Sequence, residues 1–141
     1  MTERVFVDTI VLVYAHDRDS GGKHEVAERL LRRLWPENSG VVSPQVLQEF
    51  YVTTARKITC RLAHEAARRI VNTYTAWCVE TSAADILTAF RIEDEAGISF
   101  WDALIVASAA RAGATRLVTE DLNAGQIIAG IQIENPFAGM R

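Results

Sequence analysis

The sequence predicts an α/β fold in which helices flank a mainly parallel central sheet. Short apolar runs that look like buried strands alternate along the chain with segments of helical periodicity, and capping residues or glycines separate them. The 141 residues suit one domain whose core needs neither disulfides nor a structural metal.

The strands are predicted from runs rich in β-branched and apolar residues, "RVFVD", "GVVS", "CVET", "TRLVT" and "IQIEN". They cover 4–8, 40–43, 78–81, 115–119 and 131–135. Helices are predicted from apolar residues at three- and four-residue spacing and from cap signals, such as Ser43 followed by Pro44. They cover 24–35, 44 to about 56, 63–76, a segment from the Ser82 cap to Gly97, and one from the Ser99 cap to Gly113.

Composition excludes several classes of function. A net charge of −3 argues against a protein that binds nucleic acid through a broad basic surface, although bound metal would reverse the sign of an acidic site. Cys60 and Cys78 have no metal-binding spacing. The start of the chain shows no signal peptide, and no apolar run is long enough for a membrane span, so we expect a cytoplasmic protein with no membrane contact.

Four acids stand where predicted elements begin or end: Asp8, Glu49, Asp102 and Asp121. Each has a purely structural explanation as a turn, loop, cap or solvated helix residue. Ser99 and Asp102, for instance, have the Ser-x-x-Asp spacing of a capping arrangement. Ligands of open parallel sheets, however, bind at the carboxyl ends of strands, and oxygen-only ligands favour Mg²⁺ or Mn²⁺. Taken together, the four acids fit a hard-cation site.

Four segments in the same order resemble the motifs of the PIN domain family: "FVDT…LVYAHD", "SPQVLQEFY", "SFWDALIVASA" and "LVTEDLNAGQ" followed by "IENPF". The resemblance covers nearly the whole chain and is nearest to the VapC-type toxin ribonucleases of bacterial toxin–antitoxin pairs. It implies a single PIN domain over residues 1–141 with a Rossmann-like three-layer fold.

The resemblance also implies an activity and its residues. The chain would be a metal-dependent endoribonuclease that hydrolyses RNA, is bound by a small antitoxin protein and forms a homodimer. The catalytic acids would be Asp8, Glu49, Asp102 and Asp121. Of these, Asp8, Asp102 and Asp121 would be ligands of Mg²⁺ or Mn²⁺, and Thr9 and Thr119 would support them.

One position departs from the family pattern. The first motif usually reads Asp-Thr-Asn, whereas this chain reads Asp8-Thr9-Ile10. Isoleucine can neither donate nor accept a hydrogen bond, so an interaction that orients an acid or a water would be lost. The change is either tolerated drift at a supporting position or a loss of activity, and the residues alone do not separate the two.

Two other functions remain open. A phosphatase of the haloacid-dehalogenase type also begins with a strand and an aspartate, but it would need an acid at position 10. An inactive PIN-like module that binds only a protein partner is the non-enzymatic alternative, and Ile10 is its main support.

Aromatic and apolar side chains allow two further expectations. We expect Phe50, Tyr51 and Trp101 to pack in the core rather than to stack on bases. We also expect protein partners to contact apolar residues that the core does not use, on the helices around four positions. Those positions are Leu30, Leu34, Ile70 and Tyr74.

Overall fold

The computed structural model describes residues 3–140, which form one five-stranded sheet with α-helices packed around it. The strands are β1 (Val5–Val7), β2 (Gly40–Val41), β3 (Arg116–Val118), β4 (Ile127–Ile128) and β5 (Ile131–Glu134). The helices are α1 (Thr9–His16), α2 (Gly22–Glu37), α3 (Pro44–Val52), α4 (His64–Tyr74), α5 (Ala83–Ala96) and α6 (Phe100–Arg111).

The sheet is mainly parallel, with strand order β2-β1-β3-β5-β4. Strand β1 pairs in parallel with both β2 and β3, and β3 pairs in parallel with β5, while β4 alone runs antiparallel to its neighbour β5. The register places Val7 opposite Val118. The carboxyl ends of β1 and β3 therefore lie side by side, and the predicted α/β fold is confirmed.

The core lies between the sheet and its helices. Phe6, Leu117 and Ile133 of the central strands are completely buried, as is Phe50 of α3. Strands buried on both faces read as continuous apolar runs, which explains why β1 and β3 were predicted from composition. Across residues 3–140, no helix is both long and apolar enough to cross a membrane.

Helix α1 is an element that the sequence patterns did not predict. Its residues "TIVLVYAH" are apolar on almost every side, and Thr9, Val11, Leu12, Val13 and Ala15 are all buried. A helix without a polar face has no 3.6-residue periodicity, and its β-branched residues resemble a strand. The side chain of Asp8 caps this helix by accepting a hydrogen bond from the Thr9 N–H group.

Several predicted boundaries were wrong. The strand predicted over 78–81 is reduced to a single bridge between Val42 and Cys78. The helix that begins after Ser43 ends as an α-helix at Val52 and continues as a π-helical turn over Thr53–Lys57. Strand β4 was missed because only two residues form it.

Three of the four positions around which apolar partner contacts were expected lie in the core, so their own side chains are not free for a partner. Leu30, Leu34 and Tyr74 are part of the core, whereas Ile70 is half-buried. Ile70 and the 42%-exposed Trp35 line a mainly apolar cavity of about 580 Å³ between α1, α2 and α4. Burial of the other three side chains by neighbouring helices cannot be read from a periodic pattern in one helix.

Candidate active site

Four carboxylates line one cavity of about 230 Å³ at the carboxyl edge of the sheet. They are Asp8, Glu49, Asp102 and Asp121, the four acids identified from the sequence. Each comes from a different segment: the end of β1, helix α3, the first turn of α6 and the loop after β3. The remaining walls consist of Thr9, Ile10, Val13, Gln45, Thr53, Trp101 and Ile105.

Asp8 is the most buried of the four, with 6% of its surface exposed. One carboxylate oxygen accepts a hydrogen bond of 2.7 Å from the Thr9 N–H group, and the other accepts one of 2.7 Å from the Thr119 hydroxyl. Burial raises the pKa of Asp8 to about 6, the charges of Asp121 and Asp102 act in the same direction, and the two hydrogen bonds oppose the rise. The two hydrogen bonds thus fix the Asp8 side chain in place, while its burial destabilises the ionised carboxylate.

Thr119 links Asp8 to the loop that carries Asp121. Its buried hydroxyl donates to Asp8 and accepts a hydrogen bond of 3.1 Å from the Asp121 N–H group. Partial burial raises the pKa of Asp121, and the nearby charges of Asp102, Glu120 and Glu49 raise it further. The acids are therefore close enough to repel one another.

Asp102 has only half of the capping arrangement that its spacing suggested. The Ser99 hydroxyl oxygen accepts a hydrogen bond of 3.1 Å from the Asp102 N–H group and caps helix α6. The Asp102 carboxylate itself makes no hydrogen bond to any group within residues 3–140. It lines the cavity, so the serine performs the capping and the aspartate side chain does not.

Glu49 is exposed at the cavity wall and is held by two polar neighbours. The Gln45 amide donates a hydrogen bond of 2.9 Å to one carboxylate oxygen, and the Thr9 hydroxyl donates a longer one of 3.4 Å to the other. Gln45 was not identified from the sequence. The signal was available, because residues four apart lie on the same face of a helix.

Ile10 lies in the cavity wall, half-buried and packed against the core. The position where the family pattern has an amide thus does face the acids, and this chain presents a hydrocarbon there. The Gln45 side chain is an amide on the wall of the same cavity.

Glu120, next to Asp121 in the sequence, belongs to a separate cluster. Its carboxylate accepts hydrogen bonds from the Tyr14 hydroxyl at 2.6 Å and from the Lys23 ammonium at 2.5 Å. Burial raises the pKa of Glu120, but these two hydrogen bonds outweigh it and leave the pKa below its usual value. This cluster anchors the start of the 120–126 loop beside the cavity.

The donor set of the cavity fits a hard divalent cation. All four candidate ligands are carboxylates, and within residues 3–140 none of them forms a salt bridge with a basic side chain. Over the same range, no three His, Cys, Asp or Glu side chains stand close enough to hold a metal as they are placed. A cation would have to draw the acids inward. The carboxylates of Asp102 and Asp121 make no hydrogen bond within that range that would resist this movement.

Residues 5–127 match the family model of the PIN domain. Because this match spans most of the chain, the protein belongs to the PIN domain family. No curated protein sequence gave a significant match.

The fold is similar to those of three solved structures. VapC20 from Mycobacterium tuberculosis, described as a toxin that cleaves the sarcin–ricin loop, is 23% identical with a TM-score of 0.60, over 80% of this chain and 86% of that one. A toxin–antitoxin complex from Klebsiella pneumoniae is 18% identical with a TM-score of 0.67, over 94% and 98%. DNA-bound VapBC from Salmonella typhimurium is 17% identical with a TM-score of 0.65, over 96% and 99%. At these identities the comparison establishes the shared fold.

Proposed function

We propose that this protein is a metal-dependent endoribonuclease that acts in the cytoplasm as the toxin of a toxin–antitoxin pair. The observation that carries the proposal is the convergence of four carboxylates from four segments on one cavity, whose lining among residues 3–140 includes no basic side chain. Membership of the PIN domain family supports it, as does the fold shared with a toxin described as cleaving the sarcin–ricin loop.

Asp8, Asp102 and Asp121 would hold the Mg²⁺ or Mn²⁺. When bound, a divalent cation there supplies a water of lowered pKa and neutralises charge that builds up on the phosphate. Asp8 would act as the fixed ligand because Thr9 and Thr119 orient its two oxygens. Asp102 and Asp121 would be the ligands that adjust.

Glu49 would either complete the ligand set or accept a proton from the attacking water. Hydrogen bonds from Gln45 and Thr9 fix the orientation of the Glu49 carboxylate in the cavity wall. Its remaining lone pairs are free to bind the cation or to accept the proton. Its exposed position suits exchange of a proton with solvent. The oriented carboxylate would then act as a general base within hydrogen-bond reach of the water.

The proposed partners are a small antitoxin and a second copy of this chain. Toxin–antitoxin complexes among the structures of the same fold support the antitoxin. Exposed apolar residues on α5 support self-association: Ile86, Leu87 and Phe90, with 40%, 68% and 48% of their surface exposed. We also propose that residues 1–141 form one PIN domain, because β5, which lies beyond the family match, pairs with β3.

An inactive binding module is the second candidate, and the position of Ile10 in the cavity wall favours it. A haloacid-dehalogenase-type phosphatase is less well supported, because the wall presents isoleucine where that chemistry needs an acid.

Metal binding and RNA cleavage measured together test the proposal. The protein is first treated with EDTA, and the EDTA is then removed. Calorimetric titration with Mn²⁺ should show binding, and cellular RNA should be cleaved only when the metal is restored. Binding without cleavage of any RNA would favour the inactive module. No metal binding at all would refute the proposed site.

A further inference from the structure

Trp101 lies on the surface at the rim of the acidic cavity. The side chain is 62% exposed although it was expected to pack in the core, and it lines the cavity beside Asp102. Trp101 lies in the first turn of α6, whereas the continuously buried part of that helix begins at Ala103. A large aromatic ring thus stands in solvent next to the proposed reaction centre.

Neighbouring rings hold Trp101 from one side. The Phe100 ring packs against it edge-on with centroids 5.3 Å apart, and Phe90 of α5 lies 5.6 Å from Phe100. A supported ring with a free face loses little conformational entropy when a flat ligand stacks on it. Base stacking on such a ring tolerates every base, because each base has a π-face.

A second cavity continues from the acidic one on the side of α3. It has a volume of about 280 Å³, and its lining shares Glu49 and Thr53 with the acidic cavity. Lys57, at the end of the π-helical turn, lines this second cavity and forms no salt bridge within residues 3–140. Arg56 is exposed beside it. Together these two adjoining cavities, here called the groove, are lined by one aromatic, four acidic and one basic side chain among others.

We propose that this groove is the path of single-stranded RNA, with one unpaired base stacked on Trp101 and a phosphate of the adjoining nucleotides bound by Lys57. The scissile phosphate would lie between them at the carboxylates. This inference rests on the proposed function and adds to it two residues that would hold the strand on either side of the carboxylates. A base inside a duplex would have no free face for Trp101. Lys57 supplies the charge complementary to a phosphate, and an aromatic platform beside a basic group is how proteins grip single strands.

A protein partner fits this groove less well than RNA. A second copy seated on Trp101 would cover the mouth of the cavity, and Lys57 would need an acidic counterpart. The apolar residues that such a partner would use are concentrated on α5, where Leu87 is the most exposed of the three.

The test uses fluorescence anisotropy of a labelled, mixed-sequence single-stranded RNA in Mn²⁺. Full-length Asp121→Asn is the background, since it prevents cleavage and leaves α6 unaltered. Trp101→Phe should bind like the background, whereas Trp101→Leu should weaken binding roughly tenfold, the scale of one lost base stack. Ile127→Ala is the matched control, because Ile127 is 70% exposed and lines neither cavity.

Lys57→Ala should weaken binding and reduce its salt dependence by about one phosphate contact, and Lys57→Arg should restore both. Arg33→Ala, an exposed basic residue of α2, is the control. The same RNA closed into a hairpin duplex, or carrying abasic sites throughout, should bind the background protein about as weakly as the single strand binds Trp101→Leu.

Two outcomes would overturn the proposal. One is binding by Trp101→Leu within twofold of Ile127→Ala. The other is a sedimentation profile in which Trp101→Leu turns a dimer into a monomer without changing RNA affinity, which would make Trp101 a contact between copies. The proposed function is judged separately, by RNA cleavage with the wild-type protein. If the wild type cleaves RNA but Trp101→Leu binds RNA normally, only the groove is refuted. If RNA binding depends on Trp101 but the wild type does not cleave, only the nuclease is refuted.

Discussion

Replacing Asp8 by asparagine should stabilise the metal-free protein while it abolishes the proposed activity. Burial, with help from Asp121 and Asp102, raises the pKa of Asp8 from 3.8 to about 6. Because a tenfold change in proton affinity corresponds to about 1.4 kcal/mol, the ionised form is destabilised in the folded state by about 3 kcal/mol. Asparagine carries no charge and avoids this cost.

Asparagine does not recover the whole amount. Its side-chain oxygen can still accept from the Thr9 N–H group, but the Thr119 hydroxyl loses the carboxylate to which it donates. A lost hydrogen bond of this kind costs about 1 kcal/mol, so the net gain in free energy of unfolding should be about 2 kcal/mol at pH 7.

The raised pKa of Asp8 also predicts how the stability of the wild-type protein changes with pH. A pKa raised on folding means that the folded state binds more protons, so wild-type stability should fall as the pH rises from about 4 to above 6. Urea unfolding followed by far-ultraviolet circular dichroism in EDTA should show this fall in wild type and a smaller fall in Asp8→Asn. Asp94→Asn, at an exposed acid of α5, is the control.

Asp8→Asn that is less stable than wild type at pH 7, or that keeps the full pH dependence, would refute the reasoning. Adding Mn²⁺ should stabilise wild type and leave Asp8→Asn nearly unchanged, because a ligand stabilises only the state that binds it.

Three further predictions address Ile10, the α5–α6 pair and the surface of α5. Ile10→Asn should raise the rate of cellular RNA cleavage on the order of ten- to a hundred-fold, because one oriented hydrogen bond can contribute that much, and should leave the free energy of unfolding unchanged. No gain in rate would mean that the amide is dispensable here. Arg111→Ala should lower the free energy of unfolding by about 1–3 kcal/mol in urea, because Arg111 donates to the buried carboxylate of Asp85; a loss within error would show that solvent replaces the arginine. Leu87→Asp should turn a dimer into a monomer in sedimentation, and an unchanged profile would place self-association elsewhere.

The candidate site could be located from the sequence because the positions of strand ends follow from backbone topology. Asp8 and Asp121 follow strands that were recognisable as apolar runs, and adjacent parallel strands end at the same edge of a sheet. Glu49 and Asp102 were included because they lie near predicted helix starts, and the family resemblance added the supporting roles of Thr9 and Thr119. The structure brings all four acids to one cavity, and their chemical roles remain predictions.

The features that escaped prediction depend on packing between elements distant in sequence. Helix α1 has no polar face because neighbouring elements cover it on all sides, so it carries no periodic signal. The exposure of Trp101, in the first turn of α6, depends on tertiary packing around that turn, which no local pattern records. The hydrogen bond from Gln45 to Glu49 was within reach of a helical-spacing argument, but nothing marked that pair among the other polar pairs of α3.

The central claim, that Asp102 serves the cavity rather than the helix, is tested most directly by comparing Ser99→Ala with Asp102→Asn in RNA cleavage with Mn²⁺ and in urea unfolding. The Ser99 hydroxyl caps α6, while the Asp102 carboxylate makes no hydrogen bond within residues 3–140. Ser99→Ala should therefore lose about 1 kcal/mol of stability and keep its cleavage rate. Asp102→Asn should keep its stability and lose metal-dependent cleavage. The opposite pattern, with Asp102→Asn active but less stable, would make Asp102 a helix residue and contradict the nuclease site.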